Sequence, residues 1–252
     1  MKSFVVGNKG DVCSNAWLLS KGFCIVSHSE NFALWSGPRE DSTIQHIGEF
    51  SRRGYRRVFE SCFVVEPEHS NLRHEAIQLL FLEIAGDTYK ATIDLQSNVG
   101  CYDSLYLGAK DAGLAHIGKV LDFGCGPGTV LASSLYRQAD LLIGFDFVDE
   151  NRIHARAMGL EVLEPLEVLN LAPGYFDLIV CCYVLHYKSV ESAILATLFD
   201  SLRVGGVWAA NFHKSEGISW FLESLNNQPF IEVEIKPSVF GELMYLKKVG
   251  GK

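Results

Sequence analysis

The chain has 252 residues, 48% of them hydrophobic, with 22 basic against 30 acidic side chains for a formal charge of −8. That length supports one elaborated domain or one and a half with a large buried core. The acidic balance opposes nonspecific attraction to nucleic acid phosphates or anionic membrane, so a small or locally recognised substrate is favoured over nucleic acid.

The opening MKSFVVGNKGD holds too short an apolar stretch for a secretory signal, and no run approaches the roughly 18 apolar residues of a membrane span. Seven cysteines, at 13, 24, 62, 101, 125, 181 and 182, form no CxxC pair and sit mostly inside apolar runs, the setting of buried reduced thiols. A cytoplasmic protein without a membrane anchor is expected.

Strand-like runs follow at FCIVSH, FALWSG and SCFVVE, and then LRHEAIQLLFLEIAG repeats Ile77, Leu80, Phe81 and Ile84 at helical spacing. These elements predict an N-terminal α+β region over residues 1–99, serving as a substrate cap or a homodimer contact. Within it, SRRGYRRVF gathers Arg52, Arg53, Arg56 and Arg57 around Tyr55. Such a run could grip a phosphate-bearing acceptor or RNA, although its ordinary meaning is a solvated turn or helix face. EPEHSNLRHE mixes His69 and His74 with Glu66, Glu68 and Glu75 at a spacing that fits no zinc motif, so no metal site is expected. The polar, glycine-containing DLQSNVGCYDS reads as the joint to a second domain over residues 100–252.

From about residue 118 strands alternate with helices: KVLDFG, TVLASSLYRQ, LLIGFD, NRIHARAMG, LEVLE, FDLIVCCYV, SAILATLFDSL, VWAANF. That alternation predicts a parallel sheet with helices on both faces. After a helix at GISWFLESL, the strands FIEVEI and GELMYLKKV are separated only by KPSVFG, too short for a parallel crossover, and pair as an antiparallel hairpin. The fold class is α/β: an open, seven-stranded, mostly parallel sheet ending in a hairpin, with the N-terminal extension added.

VLDFGCGPGT, residues 120–129, runs a strand into a glycine-rich turn, where a ligand can approach bare backbone. A phosphate-cradling loop would end in Gly-Lys-Ser/Thr, and no lysine follows here. A dinucleotide turn would want a third glycine where Thr129 stands, and Asp122 would repel a pyrophosphate, which argues against a nicotinamide dehydrogenase. Asp122 instead suits a ligand with positive charge, such as the ammonium and sulfonium groups of S-adenosylmethionine. Asp146 ends the next strand at the same sheet edge, where a carboxylate can accept both ribose hydroxyls, and Phe147 offers an apolar face for a purine.

Taken together, VLDFGCGPGT, GFDF, FDLIVCCYVLHY and LRVGG resemble, in order and spacing, the motifs of class I S-adenosylmethionine-dependent methyltransferases, over roughly residues 100–249. The resemblance implies that Gly124, Cys125 and Gly126 lie under the methionine part, with Asp122 acting on its ammonium directly or through water. It assigns the ribose to Asp146, the two adenine faces to Phe147 and Leu166, and the carbonyl of Cys181 to the ammonium. Pro165 stands where the family often has an aspartate for the adenine amino group, leaving Glu164 or backbone as its replacement. Val204 replaces the proline of the family's Leu-Arg-Pro-Gly-Gly. Tyr102 and Tyr106 resemble the aromatic-bearing segment that covers the cofactor, with Tyr102 at the methionine end.

Methyl transfer from a sulfonium gains most from alignment, and a general base matters only when the acceptor must lose a proton. His186 and His213 follow the fourth and fifth strands at the carboxyl edge and are the candidate catalytic bases; packing or helix capping is the plain alternative for each. The expected function is methylation of a small-molecule acceptor at oxygen, nitrogen or carbon. A non-catalytic cofactor-binding module or partner subunit, or an RNA or protein methyltransferase, is the alternative.

Overall fold

The computed structural model describes residues 2–38, 47–59, 61–67, 72–85, 94–114, 116–213, 215–225, 228 and 231–250, and the chain divides into two units, Met1–Ile84 and Ala85–Lys252. In the first unit β1 (Lys2–Asn8) leads into α1 (Val12–Ser20), whose N-cap Asp11 accepts from the Ser14 N–H at 3.0 Å. Strands β2 (Cys24–His28) and β3 (Phe32–Pro38), helix α2 (Ile47–Arg52), strands β4 (Tyr55–Phe59) and β5 (Cys62–Val65), and helix α3 (Arg73–Ile84) follow. The sheet runs β2-β3-β1-β5-β4, with β1 antiparallel to β3 and parallel to β5. Helix α3 buries Ile77, Leu80 and Ile84 as its spacing predicts, together with Ala76 and Leu79; Phe81 is half-buried.

Three features of this unit escape the periodicity. Strand β1 lies in the opening segment, whose apolar run is too short to show a period. Helix α1 has no clean apolar stripe. The arginine run is divided by a turn at Gly54 (φ 78°) between the end of α2 and the start of β4, so its four cations do not share one face.

The second unit opens with α4 (Leu95–Asp111), N-capped by Asp94, which accepts from the N–H groups of Gln96 and Ser97. The segment read as a joint is therefore the first turns of a 17-residue helix, which runs through position 100. Strands β6 (Lys119–Phe123), β7 (Leu141–Phe145), β8 (Glu161–Val162), β9 (Phe176–Cys181) and β10 (Leu202–Phe212) alternate with helices α5 (Ser134–Gln138), α6 (Asp149–Ala157), α7 (Pro165–Val168) and α8 (Ser192–Ser201). After α9 (Ser215–Ser224), β11 (Ile231–Ser238) and β12 (Gly241–Lys248) form the expected hairpin. The seven-stranded sheet has the order β11-β12-β10-β9-β6-β7-β8, parallel from β10 to β8.

Alternation along each strand feeds two cores. Val120, Leu178, Val180, Val207 and Ala209 meet α4 on one face. Leu121, Phe123, Ile179, Trp208 and Ala210 meet α8 and α9 on the other. The run TVLASSLYRQ is broken where one helix was expected: a 3-10 turn over Thr129–Ala132 ends at Ser133, whose side chain caps α5. Serine competes with helix continuation by bonding nearby backbone, which is why the break falls there. LRVGG belongs to β10, where the register with β9 shifts between Leu202 and Val207. Gly205 (φ 78°) supplies the irregular backbone of that bulge.

Candidate active site

Strand β6 is flanked by β7 and β9, and successive strands run off to opposite sides of it. A crevice opens at the carboxyl ends of the strands at such a switch point. The turn leaving β6 places Gly124, Gly126 and Gly128 at φ 84°, 53° and 90°, backbone that glycine alone adopts without strain. A Cβ on Gly124 would stand 2.2 Å from Val184 Cγ2, so this turn and the loop after β9 touch through the space the missing side chain leaves. The N–H groups of Gly124 and Cys125 donate to the Phe145 carbonyl (2.7 and 2.9 Å), and that of Gly126 donates to Asp146 Oδ2 (2.9 Å). The Cys125 side chain is buried beneath the turn against Gly144, and burial pushes its thiol well above the usual range. What Cys125 can offer a ligand is backbone.

Asp122, on the α4 face of β6, is completely buried. The Tyr102 hydroxyl of α4 donates to its two carboxyl oxygens at 3.1 and 3.0 Å. Burial raises the Asp122 carboxyl to about 8, the Tyr102 hydrogen bond opposes the rise, and the neighbouring Asp146 adds to it. A desolvated acid with a neutral hydroxyl for company is matched to an incoming cation, which would favour its charged form. The residues thus fit a ligand with an ammonium or sulfonium. Tyr102 is itself buried, and Tyr106 packs in the same core one turn along.

Asp146 is half-buried at the end of β7. Its Oδ1 accepts from the Val148 N–H (2.9 Å) and from Asn151 Nδ2 (3.2 Å). Burial raises its carboxyl, and these donors, with that of Gly126, pull it back. Behind it Arg152, also buried, donates through Nη1 to the carbonyls of Asp146 (2.7 Å) and Phe147 (3.1 Å), while its Nε lies 3.5 Å from Glu164. Arg152 therefore ties the loop after β7 to the loop after β8, which carry Phe147 and Leu166. Phe147 packs edge-on against Phe123 and Phe145, and Leu166, in the single turn of α7, is 73% exposed. Glu164 joins Arg152 and Arg156 and completes a capping box with Glu167 on α7, with Pro165 in the first turn of that helix. Its carboxylate is engaged in structure, so of the two replacements considered for the missing aspartate, backbone is the freer.

Cys181 ends β9, as its place in the motif requires, with its thiol accepting from Trp208 Nε1 at 3.2 Å on the far face. Just beyond, Tyr183 holds a left-handed backbone (φ 60°), and its N–H donates to Asn211 Oδ1 at 2.6 Å. Asn211 is completely buried in β10 and donates onward to the Phe240 carbonyl at 3.1 Å. The Tyr183 ring stacks on His213 (centroids 5.0 Å apart, 26°), and His186 lies 5.7 Å from His213. The two candidate histidines, 27 positions apart, thus meet around one tyrosine; His186 is buried and His213 exposed. Gly217 of α9 makes room for this approach, since a Cβ there would sit 3.1 Å from the His186 Cα.

Tyr183, Asn211, Asn151 and Arg152 escaped the sequence reading. A usable signal existed for Asn211, a lone amide inside the apolar run VWAANF; the others carried none. Among the described residues no metal-binding cluster occurs, and Glu66 and Glu75 are engaged with Arg73 and Asn31. Glu68 and His69 lie outside the described residues. Likewise among the described residues, no helix is long and apolar enough to cross a membrane.

Residues 101–214 match the family described as "Methyltransferase domain". Among solved structures, the 1,6-didemethyltoxoflavin-N1-methyltransferase of Burkholderia thailandensis aligns at TM-score 0.55 and 17% identity, over 78% of this chain and 99% of its own. The plantazolicin methyltransferase BpumL aligns at 0.53 and 14%, over 72% and 96%. At such identities the likeness is one of fold. No curated protein matches the chain.

Proposed function

We propose that this chain, whose residues 101–214 match the methyltransferase-domain family, is a class I S-adenosylmethionine-dependent methyltransferase and that its methyl acceptor is a small molecule. S-adenosylmethionine supplies an electrophilic methyl group on a sulfonium. Asp122, with Tyr102 behind it, holds the ammonium end together with the backbone of Gly124, Cys125 and Gly126 and the Cys181 carbonyl. Asp146 takes the ribose hydroxyls, and Phe147 and Leu166 flank the adenine.

The observation that carries the acceptor reading is the cluster of Tyr183, His186 and His213 at the carboxyl ends of β9 and β10. It sets two imidazoles beside a tyrosine at the sheet edge, where one of them can take a proton from a hydroxyl or amine. Alignment there can lower the barrier by about 7–11 kcal/mol in favourable cases. The net charge of −8 favours a small partner over a polyanion. Two structural neighbours act on small molecules, judging by the didemethyltoxoflavin and the plantazolicin analogue bound in them. For the N-terminal α+β region, expected over residues 1–99, the proposed role is a substrate cap or a homodimer contact.

The test is transfer of labelled methyl from S-adenosylmethionine into cell extract separated into small-molecule, RNA and protein fractions. Label in the small-molecule fraction is expected. Label confined to RNA or protein overturns the acceptor class, and S-adenosylhomocysteine binding without transfer to any fraction indicates a non-catalytic module.

A further inference from the structure

The divided arginine run leaves two of its members in a place the methyltransferase reading does not use. Trp17, Ser20 and Lys21 from α1 and its end, Glu49 and Arg52 from α2, and Arg53 beyond it line an open cleft of about 620 Å³ within the first unit. Arg56 is drawn away to Glu66 on the strand side. The cleft is held from beneath: Trp17 packs edge-on against Phe50 (5.0 Å, 80°), and Phe50 is buried and stacked on Phe63. The Arg53 guanidinium sits 4.5 Å over the Trp17 ring, a cation–π contact that draws it to the cleft.

Charge identifies the acceptor. Among the described residues Lys21 pairs with Glu49 at 3.6 Å, and Arg52 and Arg53 add two further cations to the lining, with the Asp11 carboxylate near enough to Arg53 to feel its charge, in a chain that is acidic overall. Helix C-termini favour cations and so account for Lys21 and Arg52 ending their helices. They do not account for Arg53, folded back over Trp17 into the same cleft. A phosphomonoester carries about −1.5 to −2 at pH 7 and presents three acceptor oxygens, enough charge and acceptors for two guanidinium groups. A phosphodiester or a monocarboxylate brings only one charge to the pair. We propose that this cleft binds the phosphate of a small phosphomonoester.

Calorimetry with glycerol 3-phosphate tests this, with glycerol as the blank. Saturable binding is expected, tightening as pH rises through about 6 where the second phosphate proton leaves. Arg52→Gln and Arg53→Gln should each weaken it at least about tenfold, the loss of one charge-assisted contact, while Arg56→Gln leaves it unchanged. Arg52 is exposed at a helix end, so its variant retains the fold even should Arg53→Gln disturb the Trp17 packing, and Arg53→Lys gives a second reading there. Saturating S-adenosylhomocysteine should leave the affinity unchanged, which separates this cleft from the methyltransferase site. No saturable heat in the millimolar range, or full affinity in the double variant, overturns the proposal. So does tighter, salt-sensitive binding of single-stranded RNA that displaces glycerol 3-phosphate, which would make the cleft a nucleic acid contact.

Discussion

At the scale of single residues, Asp122 concentrates the most chemistry. Its carboxyl stands at about 8 in the folded chain against an ordinary 3.8, because burial outweighs the Tyr102 hydrogen bond. The folded state then holds a proton that the unfolded state has lost between roughly pH 4 and 8. By linkage the stabilisation is complete below pH 4 and is lost as pH rises through about 8. Urea midpoints should therefore fall from pH 5 to pH 8, and Asp122→Asn should flatten that slope. The same proton should leave when a cation arrives: S-adenosylhomocysteine titrated at pH 7 in buffers of different ionisation enthalpy should show release of up to about one proton, absent in Asp122→Asn. Equal apparent enthalpies in all buffers would contradict this account of the site. The histidines allow a sharper division. Gln in place of whichever of His186 and His213 is the base should lower kcat by about 10²–10⁴ with S-adenosylhomocysteine affinity intact. Asp122, Asp146 and both histidines stood out as candidates in the chain because each lies within or just beyond an apolar strand run. Tyr183 was not, since its unusual backbone depends on Asn211, 28 positions away.

At the scale of elements, Arg152 links two loops that the sequence could only name separately. Its Nη1 bonds to two carbonyls of the β7 loop, and Glu164 of the β8 loop faces its Nε. Arg152→Met should cost about 1.5–3 kcal/mol in urea unfolding, the worth of a charged hydrogen bond. It should also weaken S-adenosylhomocysteine binding through misplacement of Asp146 and Phe147. The helix α4 shows how closely elements approach: a Cβ on Gly108 would lie 2.0 Å from the Tyr245 ring of β12. Gly108→Ala should therefore destabilise by about 1–3 kcal/mol, readable as a lower midpoint at unchanged slope. Strand and helix identity was visible wherever periodicity was long, as in β9 and α3. Breaks were not, because Ser133 ends one turn and caps the next by local hydrogen bonds that no apolar pattern records.

At the scale of the whole molecule, residues 85–252 form their own unit. Expressed alone they should fold and bind S-adenosylhomocysteine with little change in affinity, while methyl transfer to the small-molecule fraction should fall if acceptor choice resides in residues 1–84. A fragment that folds but loses S-adenosylhomocysteine would place part of the cofactor site in the first unit. The amino-acid sequence by itself determined the α/β class, the terminal hairpin, the glycine turn and its acidic neighbour. Those features are written in local spacing, residue chemistry and connection length. Only the tertiary structure decided that Tyr102 would hold Asp122, that His186 and His213 would meet around Tyr183, and that an arginine run would split so that two of its members face one cleft. Each depends on which strands lie side by side, and pairing between distant segments is settled by the packing of the whole sheet.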